Sequence, residues 1–278
     1  MRVQSAVGRF LARRPGETVL VLAVALTLPC APSRAQEPAA AGPISRLGFS
    51  AGAGIGSYRE DLIVPLGFSG PGVFAGVMYA RDAAKSRLQV EFRFRAGYLE
   101  NRYAHGTFAA ALSLRPSWTR RLLLTDSAGE LRAGLCAPLS INYLIDHSWD
   151  DAHLYWLAAY GLGVSAEWQK TIVAGHDGLL RMEFPLLAMV SRPPSLRLNK
   201  QDPTGQWSYY LSKPNQTLQL ETLDTYRAFL LQLLWRRGAS NTLWDVGLEF
   251  TYEYCDTPEP VWALNTSLFL SIRWRIRS

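Results

Sequence analysis

The chain has 278 residues, of which 29 are basic and 23 acidic. Residues 1–35 hold five arginines and one glutamate, so the rest has 24 basic and 22 acidic residues, a net charge of +2. This near balance gives no sign of a nucleic-acid-binding surface, and we predict no nucleic-acid partner.

The first 35 residues have the order of a secretory signal peptide. A basic region precedes an apolar run of eleven residues, TVLVLAVALTL, and small residues then mark a cleavage site after Ala35. The run is too short for a membrane-spanning helix, which needs roughly 20 residues. An alternative is a lipoprotein signal ending at Cys30, although Pro29 stands where a small residue is expected. The sequence therefore predicts a signal peptide over 1–35, a linker over 36–46 and one domain over 47–278.

The domain reads as a succession of β-strands without a convincing long amphipathic helix. GFSAGAGIGSY near its start fits a first strand, since no helix follows it as in a dinucleotide site. In LQVEFRFRAGY (88–98) apolar and polar side chains alternate without a fault, and a period of two is that of a strand. The same pattern is clear over 131–143, 154–168, 180–190, 244–254 and 262–276. Looser strands are predicted over 48–58, 72–81, 107–121 and 218–236.

Strand length and aromatic spacing indicate a membrane rather than a soluble sandwich. Strands of about 11–15 residues exceed the usual 5–6 and suit a tilted membrane strand. Trp156 and Trp168 lie twelve residues apart, a rise of roughly 28 Å at 45° tilt, close to the ~25 Å between the aromatic girdles of an outer-membrane barrel. The predicted girdle residues are Trp156, Trp168, Trp244, Tyr252, Tyr254, Trp262 and Trp274.

The connections have the rhythm of a bacterial barrel. Short ones (DAAKS, TDSAGE, AGHDG, RGASN) alternate with generally longer ones at 59–71, 99–106, 146–153, 191–217 and 255–261. Over 47–278 the chain resembles bacterial outer-membrane β-barrel proteins, without the signature of a specific family. We predict an all-β fold, a single antiparallel transmembrane β-barrel of about ten strands. A hairpin within 194–214 would make twelve, but Pro193 and Pro194 favour an external loop there.

The resemblance also implies a location and partners. It implies export to the outer membrane of a Gram-negative bacterium and contact with membrane lipid and lipopolysaccharide. The last strand, LNTSLFLSIRWRIRS, is similar to the signal read by the barrel assembly machinery, which implies assembly by that machinery. It departs from the usual form by ending in Arg277 and Ser278 instead of an aromatic residue.

The alternation of side chains along each strand, with apolar residues assigned to the lipid face, predicts a lumen filled with charge. The expected lumen-lining residues are Glu91, Arg93, Arg95, Arg115, Arg132, Glu167, Arg181, Glu183, Asp245, Glu249, Glu253, Arg273 and Arg275. A ten-stranded barrel is narrow enough for such side chains to fill it. We expect an interior salt-bridge network that closes the lumen of a structural or interaction barrel. The alternative is a narrow, porin-like channel for small solutes.

The outer connections hold the candidate catalytic groups. These are His105, Asp146, His147, Asp150 and His153. Imidazoles beside carboxylates can act as general bases or bind a metal ion. The resembling outer-membrane enzymes, omptin proteases and lipid A-modifying barrels, carry catalytic His, Asp or Ser residues at the outer rim, but no spacing here matches theirs closely. Hydrolysis of lipid A or peptides is thus one hypothesis; a polar, solvated loop without enzymatic activity is the preferred one. No cofactor and no metal site are predicted.

Overall fold

The computed structural model describes residues 42–60, 64–103, 105–125, 128–146, 153–193, 217–239, 241–257 and 259–276. Twelve strands are present in this part of the chain. They are β1 (Ile44–Glu60), β2 (Val64–Asp82), β3 (Ser86–Asn101), β4 (Gly106–Thr125), β5 (Gly129–Cys136), β6 (Leu139–Asp146), β7 (His153–Val173), β8 (His176–Ser191), β9 (Gln219–Thr222), β10 (Tyr226–Ala239), β11 (Thr242–Cys255) and β12 (Val261–Ile276). Among these residues, no helix is long and apolar enough to cross a membrane.

The strands form one closed antiparallel sheet. The first and last strands, β1 and β12, pair along their whole lengths, from Ser45–Ile276 to Glu60–Val261. β5 and β6 lie end to end between β4 and β7. In the same way, residues 187–190 of β8 pair with β9, and residues 176–183 of β8 pair with β10. We call the direction from the first of these β8 segments to the second downward. Twelve segments thus fill about ten positions around a ring. This confirms the predicted all-β antiparallel barrel of about ten strands.

The two extra segments come from interruptions within strands. The hairpin considered over 194–214 lies outside the described residues. The predicted strand 131–143 is divided into β5 and β6 at Ala137 and Pro138, and the predicted strand 218–236 is divided into β9 and β10 by a turn at 223–225. Proline cannot donate a ladder hydrogen bond, so Pro138 breaks the strand in which it lies.

The interruptions of neighbouring strands lie side by side. The amide of Ala137 donates to the carbonyl of Pro116 on β4 over 3.0 Å, and the amide of Gly161 on β7 donates to that of Pro138 over 2.7 Å. The β7–β8 register then shifts between Leu162 and Gly163, opposite Pro185. We call this line of interruptions through Pro116, Pro138, Gly161 and Pro185 the crease. It divides this side of the barrel wall into a lower and an upper part.

The connection between β1 and β2 differs from the prediction. A long connection over 59–71 is wrong, since only residues 61–63 separate the two strands. The Gly- and Pro-rich stretch GFSGPG belongs to β2, with Gly70 opposite Gly56 and Pro71 opposite Ile55. Two facing strands whose inner face is mostly glycine can pair closely, and this pairing overrides the turn tendency of the sequence.

The two faces of each strand meet different surroundings. In β3, Phe92 is 46% exposed on the outside, whereas its neighbour Glu91 is 1% exposed inside. Leu268 on β12 and Leu248 on β11 extend the exposed apolar surface around the barrel. Strands of 14 to 21 residues give this apolar belt ample height for a bilayer.

The two ends of the barrel differ in their connections. Short turns join β2 to β3, β4 to β5, β7 to β8 and β10 to β11, and both Ile44 and Ile276 lie at this end. Gly129 and Gly175 have positive φ angles of 82° and 80° in two of these turns, a conformation that glycine adopts without strain. The longer connections emerge at the other end, which we call the outer end.

Candidate functional site

The lower interior of the barrel is organised around Asp245. This residue is 1% exposed and lies on β11. Its Oδ1 accepts a hydrogen bond from Arg236 Nε over 2.8 Å, and its Oδ2 accepts bonds from Ser271 Oγ over 3.0 Å and from Arg273. The ladder places Arg236 and Ser271 directly opposite Asp245 on the two flanking strands, so all three side chains point into the lumen.

A second charged cluster crosses the middle of the lumen. Glu249 on β11 accepts a bond from Gln232 Nε2 over 2.7 Å and pairs with Arg93 on β3. Arg95 and Arg115 approach the same carboxylate at 3.4 and 3.6 Å. Arg93 also donates from Nε to Glu91 over 2.6 Å. Since three strands separate β3 from β11 along the shorter way around the wall, this cluster spans the interior.

Further ion pairs fill the remaining lower interior. Arg181 donates to Glu183 and, over 3.1 Å, to Ser117 Oγ on β4. Arg87 pairs with Asp82 and Glu167 near the end with the short turns. Arg132 Nη2 lies 2.5 Å from Glu130. Buried charges arranged in this way satisfy one another, and removing one partner leaves the other uncompensated.

The structure places the predicted lumen residues as follows. Glu91, Arg93, Arg95, Arg115, Arg132, Glu167, Arg181, Glu183, Asp245, Glu249, Glu253 and Arg273 face the interior and contact one another or interior polar groups. Arg275 is instead exposed at the end of β12. Sequence reasoning missed Arg236 and Gln232, because the stretch YRAFLLQLLWRR can be read as a helix and shows no clear parity. The cross-strand partners Asp245 and Glu249 were the one signal that could have identified them.

Above the charged clusters lies a chamber. It consists of two adjacent cavities of about 90 and about 60 Å³ that share Arg95, Asn142 and Asn265 among their lining residues. Glu253 faces the larger cavity; its Oε1 accepts bonds from Ser140 Oγ over 3.0 Å and Tyr226 OH over 2.8 Å. Its Oε2 accepts a bond from Asn142 Nδ2 over 2.8 Å, so the three donors to this carboxylate are neutral.

An apolar cluster lies above the chamber, towards the outer end. The buried side chains that occupy it belong to nine strands and include Tyr58, Leu99, Leu144, Tyr155, Leu157 and Val261. The rings of Tyr58 and Tyr155 meet edge to face with centroids 5.8 Å apart. Tyr155 OH accepts a bond from Arg192 Nε over 2.9 Å. The sequence predicts a lumen filled with charge, so an apolar cluster of inner side chains near the outer end is not predicted.

Three of the five candidate catalytic residues, His105, Asp146 and His153, lie in the described part of the chain. His147 and Asp150 lie outside the described residues. Asp146 and His153 are opposite each other at the ends of β6 and β7. His105 is exposed, and its amide donates to Asn101 Oδ1 over 3.2 Å. Within the described ranges, no three His, Cys, Asp or Glu residues are grouped to hold a metal ion.

Most predicted girdle residues lie at the outer surface. Trp168, Trp244 and Trp274 are exposed, and Tyr252, Tyr254 and Trp262 are partly exposed. Trp156 differs, since it is 4% exposed and packs with Ala158 against partly buried neighbours. Its Nε1 donates to Ser191 Oγ over 3.3 Å. Packing and this hydrogen bond bury the ring that the twelve-residue spacing predicts at the lipid surface.

No protein-family model and no curated protein sequence matches the chain. Among solved structures, it is similar to the translocator domain of the autotransporter NalP from Neisseria meningitidis, with 10% identity, 86% of this chain and 91% of that chain covered, and a TM-score of 0.42. It is similar to the outer membrane protease OmpT from Escherichia coli, with 7% identity, 84% and 96% covered, and a TM-score of 0.47. It is also similar to Neisserial surface protein A, with 12% identity, 85% and 100% covered, and a TM-score of 0.36. The predicted general resemblance to outer-membrane β-barrel proteins is confirmed, and it concerns the fold alone.

Proposed function

We propose that this protein is an integral outer-membrane barrel with a closed lumen, which acts through its outer connections as a structural or interaction component. The observation that carries the proposal is the filling of the interior at two levels. Ion pairs such as Arg93–Glu249 cross the middle, and the apolar cluster around Tyr155 lies nearer the outer end. Both levels leave little room for a continuous water path.

The proposal includes the route by which the barrel reaches the membrane. The order of residues 1–35 supports export with cleavage after Ala35, and the last strand supports assembly by the barrel assembly machinery. The apolar belt supports contact with outer-membrane lipid and lipopolysaccharide. Outer-membrane fractionation followed by N-terminal sequencing tests this route. The expected mature chain begins at Gln36, and recovery in the soluble fraction would contradict the location.

Single-channel recording in a planar bilayer tests the closed lumen. The refolded wild-type barrel, shown to be folded by its heat-modifiable migration, is expected to give no conductance steps. A variant carrying Arg93→Ser and Glu249→Ser should give steps, because it removes the pair that crosses the middle of the lumen. A control variant, Arg121→Ser, removes a cation near the end with the short turns while Glu130 keeps Arg132, and it should remain silent. Reproducible steps from the wild type that change on substitution of Arg93 would overturn the proposal in favour of a narrow channel.

A further inference from the structure

Three arginines and three glutamates line the larger cavity of the chamber, and the arginines gather around one of the glutamates. Three guanidinium groups, those of Arg93, Arg95 and Arg115, approach the single carboxylate of Glu249. Arg93 has a second carboxylate partner in Glu91. Arg95 and Arg115 approach Glu249 at the longer distances of 3.4 and 3.6 Å, and Arg95 also donates to Ser267 Oγ over 3.3 Å. The Nη1 atom of Arg115 is buried and makes no hydrogen bond. Two planar donor groups are therefore available to a further carboxylate.

A second part of the chamber lining, around Glu253, is acidic. Glu253 receives hydrogen bonds from Ser140, Asn142 and Tyr226, none of which carries a positive charge. A carboxylate held by neutral donors keeps a negative potential that a cation can approach. Arg95, Arg115 and Glu253 all line the same cavity, so its lining offers groups of both charges to a ligand.

We propose that the chamber binds one small zwitterion, with its carboxylate against Arg95 and Arg115 and its ammonium group against Glu253. The larger cavity, about 90 Å³, is enough for roughly six water molecules at ~15 Å³ each, which is also the scale of a short amino acid. Arg95, Arg115 and Glu253 lie on three different strands, so a molecule whose two charges are separated by a short chain can contact all three better than glycine does.

The probes for a binding test are a series of amino acids with growing charge separation. The full barrel is refolded in detergent with radiolabelled glycine, β-alanine, 4-aminobutanoate or 6-aminohexanoate, so that the probe can enter an interior that closes on folding. Butanoate and butylammonium are the controls that carry a single charge. After gel filtration, we expect one bound molecule per chain for the longer amino acids. Their affinity should exceed that of butanoate by about tenfold, the equivalent of one added charge contact.

Three variants separate the two ends of the site. Arg115→Met should abolish retention of every carboxylate probe, whereas Glu253→Gln should bring the amino acids down to the affinity of butanoate while leaving butanoate unchanged. Arg121→Met, near the end with the short turns, should bind like the wild type.

The inference goes beyond the closed lumen and does not depend on it. A folded wild-type barrel that retains no probe would overturn it, because the chamber then holds water only. Equal retention of butanoate and 4-aminobutanoate that is unaffected by Glu253→Gln would overturn it too, in favour of a simple anion site. Conductance is recorded separately from binding. A conducting barrel that binds the zwitterion contradicts only the closed lumen, and a silent barrel that does not bind it contradicts only this inference.

Discussion

The substitution Glu249→Gln tests whether the charged interior stabilises the barrel. Glu249 is 1% exposed and is approached by three arginines and by Gln232 Nε2 at 2.7 Å. Glutamine has the same shape, so the substitution leaves no cavity and removes only the charge. Breaking a buried pair by removing one partner costs about 3–5 kcal/mol. Because Arg93 keeps Glu91, we expect a loss of about 3 kcal/mol.

The assay is urea unfolding of the barrel refolded in lipid vesicles, with the free energy of unfolding obtained by linear extrapolation. Glu100→Gln is the matched control, because Glu100 is exposed at the outer end of β3 and the same chemical change there should alter stability by less than about 0.5 kcal/mol. Equal effects of the two substitutions would refute the view that the interior network contributes to stability.

Three further outcomes follow from particular positions. Leu268→Arg, on the exposed apolar belt, should destabilise the barrel in vesicles by about 2–4 kcal/mol, and a neutral result would place that face outside the bilayer. Gly175→Ala should cost about 1–2 kcal/mol from its positive φ alone, whereas Gly129→Ala should cost more in the same urea assay, since its Cβ would also meet the carbonyl oxygen of Gln169. Cys136 and Cys255 are free and buried, so maleimide should modify them only after denaturation, as read by mass spectrometry; modification of the folded barrel would contradict their burial.

The strands can be predicted from the sequence where one face is apolar and the other polar. The stretch from Leu88 to Tyr98 shows this alternation, and the structure places its two faces as the period of two requires. The start of β2 is harder to predict from the sequence, because Gly70 and Pro71 have the composition of a turn. They belong to a strand only because they pair with β1. Local composition cannot show what a distant strand supplies.

The residues of the interior can be predicted from the sequence only in part. Charged residues at alternate positions, such as Arg93 and Glu249, are placed by parity alone. The apolar packing around Tyr155 and the burial of Trp156 are not predicted, because both faces of β7 are apolar near the outer end and alternation does not show what covers an apolar side chain. The three-way contact at Glu249 also depends on which strands face each other across the lumen, and alternation along a strand carries no such information.

The crease has a consequence for how the wall moves. Between the crease and the short turns, β4, β5, β7 and β8 stay paired apart from register shifts next to the turns. At Pro138 and Pro185, by contrast, a ladder donor is missing at nearly the same height. Local opening follows such lines of weak pairing, so amide hydrogens of β6 and β9 should exchange with deuterium sooner than those of β5 and the lower half of β8. The part of the wall between the crease and the outer end is therefore expected to open locally before the rest of the barrel does.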